Sequence, residues 1–122
     1  VDAILSLTHN QIQLQLKWPN DIYYNGLKIG GVLCESVYDM KHRQYVITSG
    51  VGLNVSNKEP TLCINDIIQQ KASKEEEEHK QSGSKLRDLV LSREQVLSEF
   101  VNHFEPIYED LAENGFVTQK QK

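Results

Sequence analysis

No apolar run in this chain is long enough to cross a bilayer, so no membrane span is expected. The first residues, Val1-Asp2-Ala3-Ile4-Leu5, carry neither a basic segment nor a cleavage pattern, and no secretory signal is read there. Cysteine is scarce: Cys34 and Cys63 are the whole complement. They lack CxxC spacing and have no histidine at ligand spacing, which argues against a disulfide framework and against a zinc site. Two reduced thiols suit a cytosol-like compartment. A basic excess is missing too. Lys and Arg number 13 against 17 Asp and Glu, a net charge of −4, so nucleic acid is not an expected partner. No internal repeat occurs. The chain does not open on methionine, which agrees with a sequence that has lost its beginning.

What remains is one small domain of 122 residues with an ordinary balance of apolar and charged side chains. Ala3, Ile4 and Leu7 share a face at helical spacing, and Thr8-His9-Asn10 ends that helix. The period then changes. Ile12, Leu14 and Leu16 alternate with Gln11, Gln13, Gln15 and Lys17, the pattern of a half-buried strand. Pro19 stops it. A second extended stretch, Ile22-Tyr23-Tyr24, leads into Asn25-Gly26, a strong hairpin signal because both residues tolerate positive φ. Strands are expected over about 28–38 and 44–53, joined by the polar residues 39–43.

A loop over 54–60 and a short helix around 64–68 follow. Residues 71–85 are dominated by Lys, Glu, Ser and Gly and predict a solvated, disordered insertion. Ser92 with Gln95 forms a capping-box pattern that opens a helix over about 93–113. Its apolar stripe is Val96, Leu97, Phe100, Phe104, Ile107, Tyr108 and Leu111. Asn114-Gly115 closes it. Pro106 conflicts with an unbroken helix, at a cost of about 3 kcal/mol, and predicts a kink or two shorter helices. Residues 117–122 read as an unstructured tail. Strands first and helices later indicate an α+β fold, an antiparallel sheet with helices on one face.

Three segments carry residues suited to chemistry. In Lys17-Trp18-Pro19-Asn20-Asp21, Lys17 can meet a phosphate as a point charge and Asp21 is a hard oxygen donor for Mg²⁺. The alternative is a strand-to-turn corner with Trp18 in the core and Asp21 capping the turn. In Lys28-Ile29-Gly30-Gly31-Val32-Leu33, paired glycines weaken a strand unless something must approach closely. Lys28 stands beside them, able to offset charge on a phosphate or carbonyl oxygen; a plain bulge with an exposed lysine is the other reading. In Ser49-Gly50-Val51-Gly52-Leu53-Asn54-Val55, Gly50 and Gly52 share a strand face and leave room for a planar group. Asn54 at the rim can donate and accept hydrogen bonds. The meander then predicts a floor of Gly30, Gly31, Gly50 and Gly52 ringed by Lys17, Lys28, Asn20, Asp21 and Asn54.

The order and spacing of KWPND (17–21), KIGGVL (28–33) and GVGLNV (50–55) resemble the biotin–protein ligases, or holocarboxylase synthetases. Pro60-Thr61-Leu62-Cys63-Ile64-Asn65 is similar to the eukaryotic type. The resemblance implies the central part of a class II synthetase-like catalytic core, spanning 1–116. It implies ATP-dependent formation of biotinyl-5′-AMP with Mg²⁺, then transfer of biotin to a lysine on the biotin carrier domain of a carboxylase. Carried over by motif, Lys28 is the catalytic residue at the biotin carboxyl and phosphate. Gly30 and Gly31 line the biotin side; Lys17, Asn20, Asp21 and Asn54 belong to the adenylate end, with Asp21 at the metal. A cytoplasmic enzyme with no membrane partner is expected, with homodimerisation compatible and organelle targeting left to sequence upstream.

The family's glycine- and arginine-rich loop, its upstream biotin-contacting strands and its terminal SH3-like barrel have no counterpart here. Two alternatives stay open: a non-catalytic fragment that binds nucleotide or partners weakly, and a lipoate or octanoate transferase relative.

Overall fold

The computed structural model describes residues 1–57, 61–77 and 83–115. Helix α1 (Asp2–Leu7) is followed by four strands: β1 (Gln15–Lys17), β2 (Asp21–Tyr24), β3 (Leu27–Asp39) and β4 (Gln44–Leu53). Then come α2 (Ile64–Glu77), α3 (Gly83–Leu86) and α4 (Arg93–Asn114). The strands pair in chain order as an antiparallel meander, β1-β2-β3-β4. This is the expected α+β arrangement. No described helix is long and apolar enough to cross a membrane.

Thr8 stops α1. Its hydroxyl donates to the Ile4 carbonyl at 2.7 Å and accepts from the Ile12 N–H at 3.2 Å, so this buried polar group is satisfied on both sides. Ile12 and Leu14 are buried as their alternation predicts, but the strand ladder itself is shorter, Gln15–Lys17 only. Asn25 and Gly26 turn the first hairpin at φ 47° and 81°. The core lies at the root of the sheet. Ile12, Leu14, Ile22, Ile29 and Val55 meet Ile64, Ile67, Ile68 and Ala72 of α2, with Leu86, Leu91 and Val96 closing the cluster.

Two helical expectations need correction. Residues 71–77 are not a disordered insertion but the last two turns of α2, and 83–85 belong to α3. Their composition is polar, yet Ala72 is buried and the Lys71 ammonium donates to the Gln11 carbonyl, so this stretch has something to pack against. Residues 78–82 of that insertion, and the tail from 117, lie outside the described residues. In α4, Pro106 sits inside one continuous helix rather than between two. The expected capping box is formed, with the Gln95 N–H donating to Ser92 Oγ and the Ser92 N–H to Gln95 Oε1. The apolar stripe of α4 has the right period, but Val96 alone is buried; Leu97, Phe104, Ile107 and Tyr108 stay exposed. Phe100, Phe104 and Tyr108 stack along the helix instead, with ring centroids 5.4 and 6.1 Å apart.

The β2–β3 ladder carries an irregularity. Tyr23 faces Lys28 and Ile22 faces Gly30, which leaves Ile29 as an extra residue in β3. Past it, Asp21 faces Gly31. On the other side Gly30 faces Leu53, Gly31 faces Gly52 and Leu33 faces Gly50. Ile22 is buried, so Gly30 belongs to the core side of the sheet and Gly31 to the opposite side. A Cβ on Gly30 would run into the Gly52 carbonyl oxygen and stand 3.2 Å from Leu53 Cα. One on Gly50 would meet only the Leu33 carbonyl, at 4.0 Å.

Gly30→Ala is therefore expected to destabilise by about 1–3 kcal/mol, because the β4 backbone at Gly52 and Leu53 has to move. Gly50→Ala should stay within about 0.5 kcal/mol of the parent. Urea unfolding of the two variants checks the contrast; equal losses would contradict the register. A second expectation concerns Asn65, whose amide donates to the Leu91 carbonyl at 2.9 Å and accepts the Leu91 N–H at 2.8 Å, besides donating to Ser56 Oγ. Asn65→Ala should cost about 2 kcal/mol in the same assay, from two part-buried backbone groups left without partners.

Candidate functional site

The outer face of the sheet root holds an open trough of about 420 Å³. Gly31, Gly50 and Gly52 give it a floor without side chains, and Asn20, Asp21 and Lys28 line it. The expected floor is thus formed by three glycines, not four. Gly30 is excluded because the extra residue Ile29 turns it to the core side. Leu33, opposite Gly50, also lines the trough and was not singled out by sequence; only its register beside Gly50 reveals it.

Lys28 reaches across this floor. Its Cε lies 3.9 Å from where a Gly31 Cβ would stand, and its ammonium ends 2.6 Å from Asp21 Oδ1. Neither partner is deeply buried: the side chains are 54% and 26% exposed. The hydrogen bond to Asp21 and the charge of that carboxylate raise the Lys28 pKa above the ordinary lysine value, against a smaller opposing effect of burial. A raised lysine pKa means the ammonium persists through neutral pH, and its share of the ion pair is lost only as pH climbs through that raised value. Lys28 is therefore a cation here and not a nucleophile.

The other expected ring members, Lys17 and Asn54, do not line the trough, although Lys17 faces Asp21 across the β1–β2 ladder. Lys17 lies over the Tyr23 ring, 5.3 Å from its centroid, and borders a second groove with Leu16, Trp18 and Cys34. Trp18 is 89% exposed, so it is not a core residue, and the peptide bond joining it to Pro19 is cis. Asn54 does not line the trough. Its amide donates to the Leu62 carbonyl at 3.4 Å and accepts from Asn57 at 3.2 Å, while its backbone links Ile29 to Ile64. Those bonds make Asn54 the joint between β4 and α2.

Cys34 and Cys63 are both free, as expected. Cys63 is buried, and burial followed by its bond to Asp66 pushes its thiol up. Cys34 is exposed with its sulfur 3.2 Å from Ser49 Oγ.

The donor set for Mg²⁺ is thin. Asp21 is the carboxylate in the trough, and its Oδ1 is engaged by Lys28. Among the described residues no group of three or more His, Cys, Asp or Glu could hold a metal ion. Any Mg²⁺ here would have Asp21 as its one carboxylate among the lining residues, in competition with Lys28.

The model of the Biotin/lipoate A/B protein ligase family matches residues 3–54, from α1 to the end of β4. Biotin–protein ligase 2 of Arabidopsis thaliana is 37% identical over 110 residues, 90% of this chain and 28% of that protein. The chloroplastic biotin–protein ligase 1 of the same plant is 36% identical, over 86% of this chain and 24% of that protein. The Homo sapiens biotin–protein ligase is 41% identical over 108 residues, 82% of this chain and 14% of its own length. The matches cover the trough and continue into the helices behind it. The chain is thus similar to biotin–protein ligases over most of its own length, and it spans about a quarter of the length of the two plant relatives.

Proposed function

We propose that this chain supplies the acyl-adenylate floor of a biotin–protein ligase. The observation that carries the reading is a persistent ammonium, Lys28, held over a trough whose base is bare backbone. A flat ring can lie on Gly31 and Gly52, where any side chain would fill the space. The reaction proposed is two-step. A biotin carboxylate oxygen attacks the α-phosphorus of ATP, forming biotinyl-5′-AMP and releasing pyrophosphate. The amine of a carrier-domain lysine on a biotin-dependent carboxylase then attacks the acyl carbon, and AMP leaves.

In both steps negative charge gathers on oxygens at the carboxyl–phosphate junction. A fixed cation there stabilises the transition state more than the ground state. Lys28 is assigned that role. Asn20, beside Asp21 in the trough, offers an amide to the nucleotide end. Lys17 is offered to phosphate only from the neighbouring groove, and Asn54 is assigned to loop geometry. Magnesium belongs to this proposal as an ion that would arrive with the ATP phosphates. A cytoplasmic location is the first to test; one relative is named chloroplastic, so a plastid or other organelle is the second.

The lipoate or octanoate alternative shares the family description, which names both ligands. The plant, human and fission-yeast relatives are each named for biotin, and this favours biotin.

Titration calorimetry with a non-hydrolysable biotinyl-5′-AMP analogue tests the reading on this chain. Binding is expected, and Lys28→Ala should weaken it about ten- to a hundredfold, the worth of one charged hydrogen bond. Circular dichroism and the unfolding midpoint should stay as in the parent, because Lys28 is solvent-exposed. Equal affinity in the variant removes Lys28 from the site. A lipoyl analogue binding tighter than the biotinyl one turns the assignment to the alternative.

A further inference from the structure

We propose that Asp21 is a positioning residue for Lys28 and not a metal ligand. The inference rests on the reading of Lys28 as the group that meets the ligand's anion, and it concerns what aims that lysine.

Asp21 and Tyr23 are two apart on β2 and so share a face. Lys28 sits opposite Tyr23, while Gly31 sits opposite Asp21. The lysine stem must therefore run along the sheet, over Gly31, to bring its ammonium to Asp21. It does so at van der Waals distance: Cε is 3.9 Å and Asp21 Oδ1 3.5 Å from the point a Gly31 Cβ would occupy. A side chain at position 31 would stand between the two charges. The missing side chain of Gly31 thus has a second consequence besides a flat floor. It leaves an open path for the Lys28–Asp21 pair.

The pair is open to solvent on the Lys28 side and half-buried on the Asp21 side, and ion pairs in contact with solvent are weak and easily exchanged. That suits aiming better than locking. Asp21 holds the ammonium at the trough wall, and an arriving carboxylate or phosphate can take it over with little loss. Metal binding by Asp21 conflicts with the same geometry. A divalent cation on Oδ1 would displace Lys28 and place its charge beside the ammonium. Lys17, the nearest alternative cation on the neighbouring strand, is turned over Tyr23 and does not replace Lys28 at the carboxylate.

The test reads the lysine directly and needs no ligand. Wild-type, Asp21→Asn and Asp21→Glu chains are acetylated with a limiting active ester at about pH 8, and Lys28 labelling is measured by peptide mass spectrometry against Lys41 of the β3–β4 turn. With the carboxylate gone, Lys28 should label about threefold faster or more relative to Lys41. Asp21→Glu should return it toward the wild-type ratio. Millimolar Mg²⁺ should leave the wild-type ratio unchanged.

An unchanged ratio in Asp21→Asn overturns the positioning role. A rise in wild-type labelling with Mg²⁺, to the level of Asp21→Asn, overturns the exclusion of metal. Should Asp21→Asn lose its circular dichroism signal, Asp21→Ser takes its place, and an unchanged Lys28 to Lys41 ratio there overturns the positioning role. Because no adenylate is present, failure here is separable from failure of the ligase reading, which is judged by analogue binding to Lys28→Ala.

Discussion

Between Ile22 and Tyr23 the β2–β3 ladder takes in one residue too many, and Ile29 is that residue. Strict alternation would place Lys28 and Gly30 on one face. The extra residue shifts the phase, so Lys28 shares its face with Gly31 while Ile29 enters the core fully buried. Everything in the trough depends on this. It decides which glycine is floor and which is packing, and it lets the Lys28 ammonium reach Asp21. Without it the lysine would stand beside a glycine that lies against Leu53 and the Gly52 carbonyl.

Around that point the molecule is built unevenly. The sheet root is backed by α2, α3 and the start of α4, whose buried apolar side chains form one cluster with Ile22 and Ile29. Asn65 ties the start of α2 to Leu91, just ahead of α4, so the backing helices are joined to one another as well as to the sheet. Among the described residues, nothing covers the far end of the β3–β4 hairpin or the outer face of α4. Leu33, Val37, Ile47, Leu97 and Tyr108 are all exposed. The site is therefore precise on its floor and open above it.

Much of this was legible in the residues. Alternation marked the burial of Ile12 and Leu14, Asn25-Gly26 the first turn, and Ser92 with Gln95 the start of α4, because each is a local signal acting over a few residues. Composition misled at 71–77: a run of Lys and Glu hid Ala72 and the Lys71 bond to Gln11, which draw the helix onward. At Pro106 the helix does not divide in two, since a local penalty does not end a helix whose remaining bonds persist. The stripe on α4 was real as a pattern, but a pattern of apolar residues does not say what covers them.

The candidate site divides along the same line. KWPND, KIGG and GVGLN carried the resemblance by sequence alone, since residue type and spacing are what a motif contains. Their order along a meander also placed Gly31, Gly50, Gly52, Asn20, Asp21 and Lys28 together. What only the tertiary structure decided was the face and partner of each. Gly30 packs inward, Asn54 joins β4 to α2, Lys17 turns to Tyr23, and Asp21 pairs with Lys28. The reason is physical: a side chain's face is set by strand register, and register is a relation between two strands that one inserted residue can reverse.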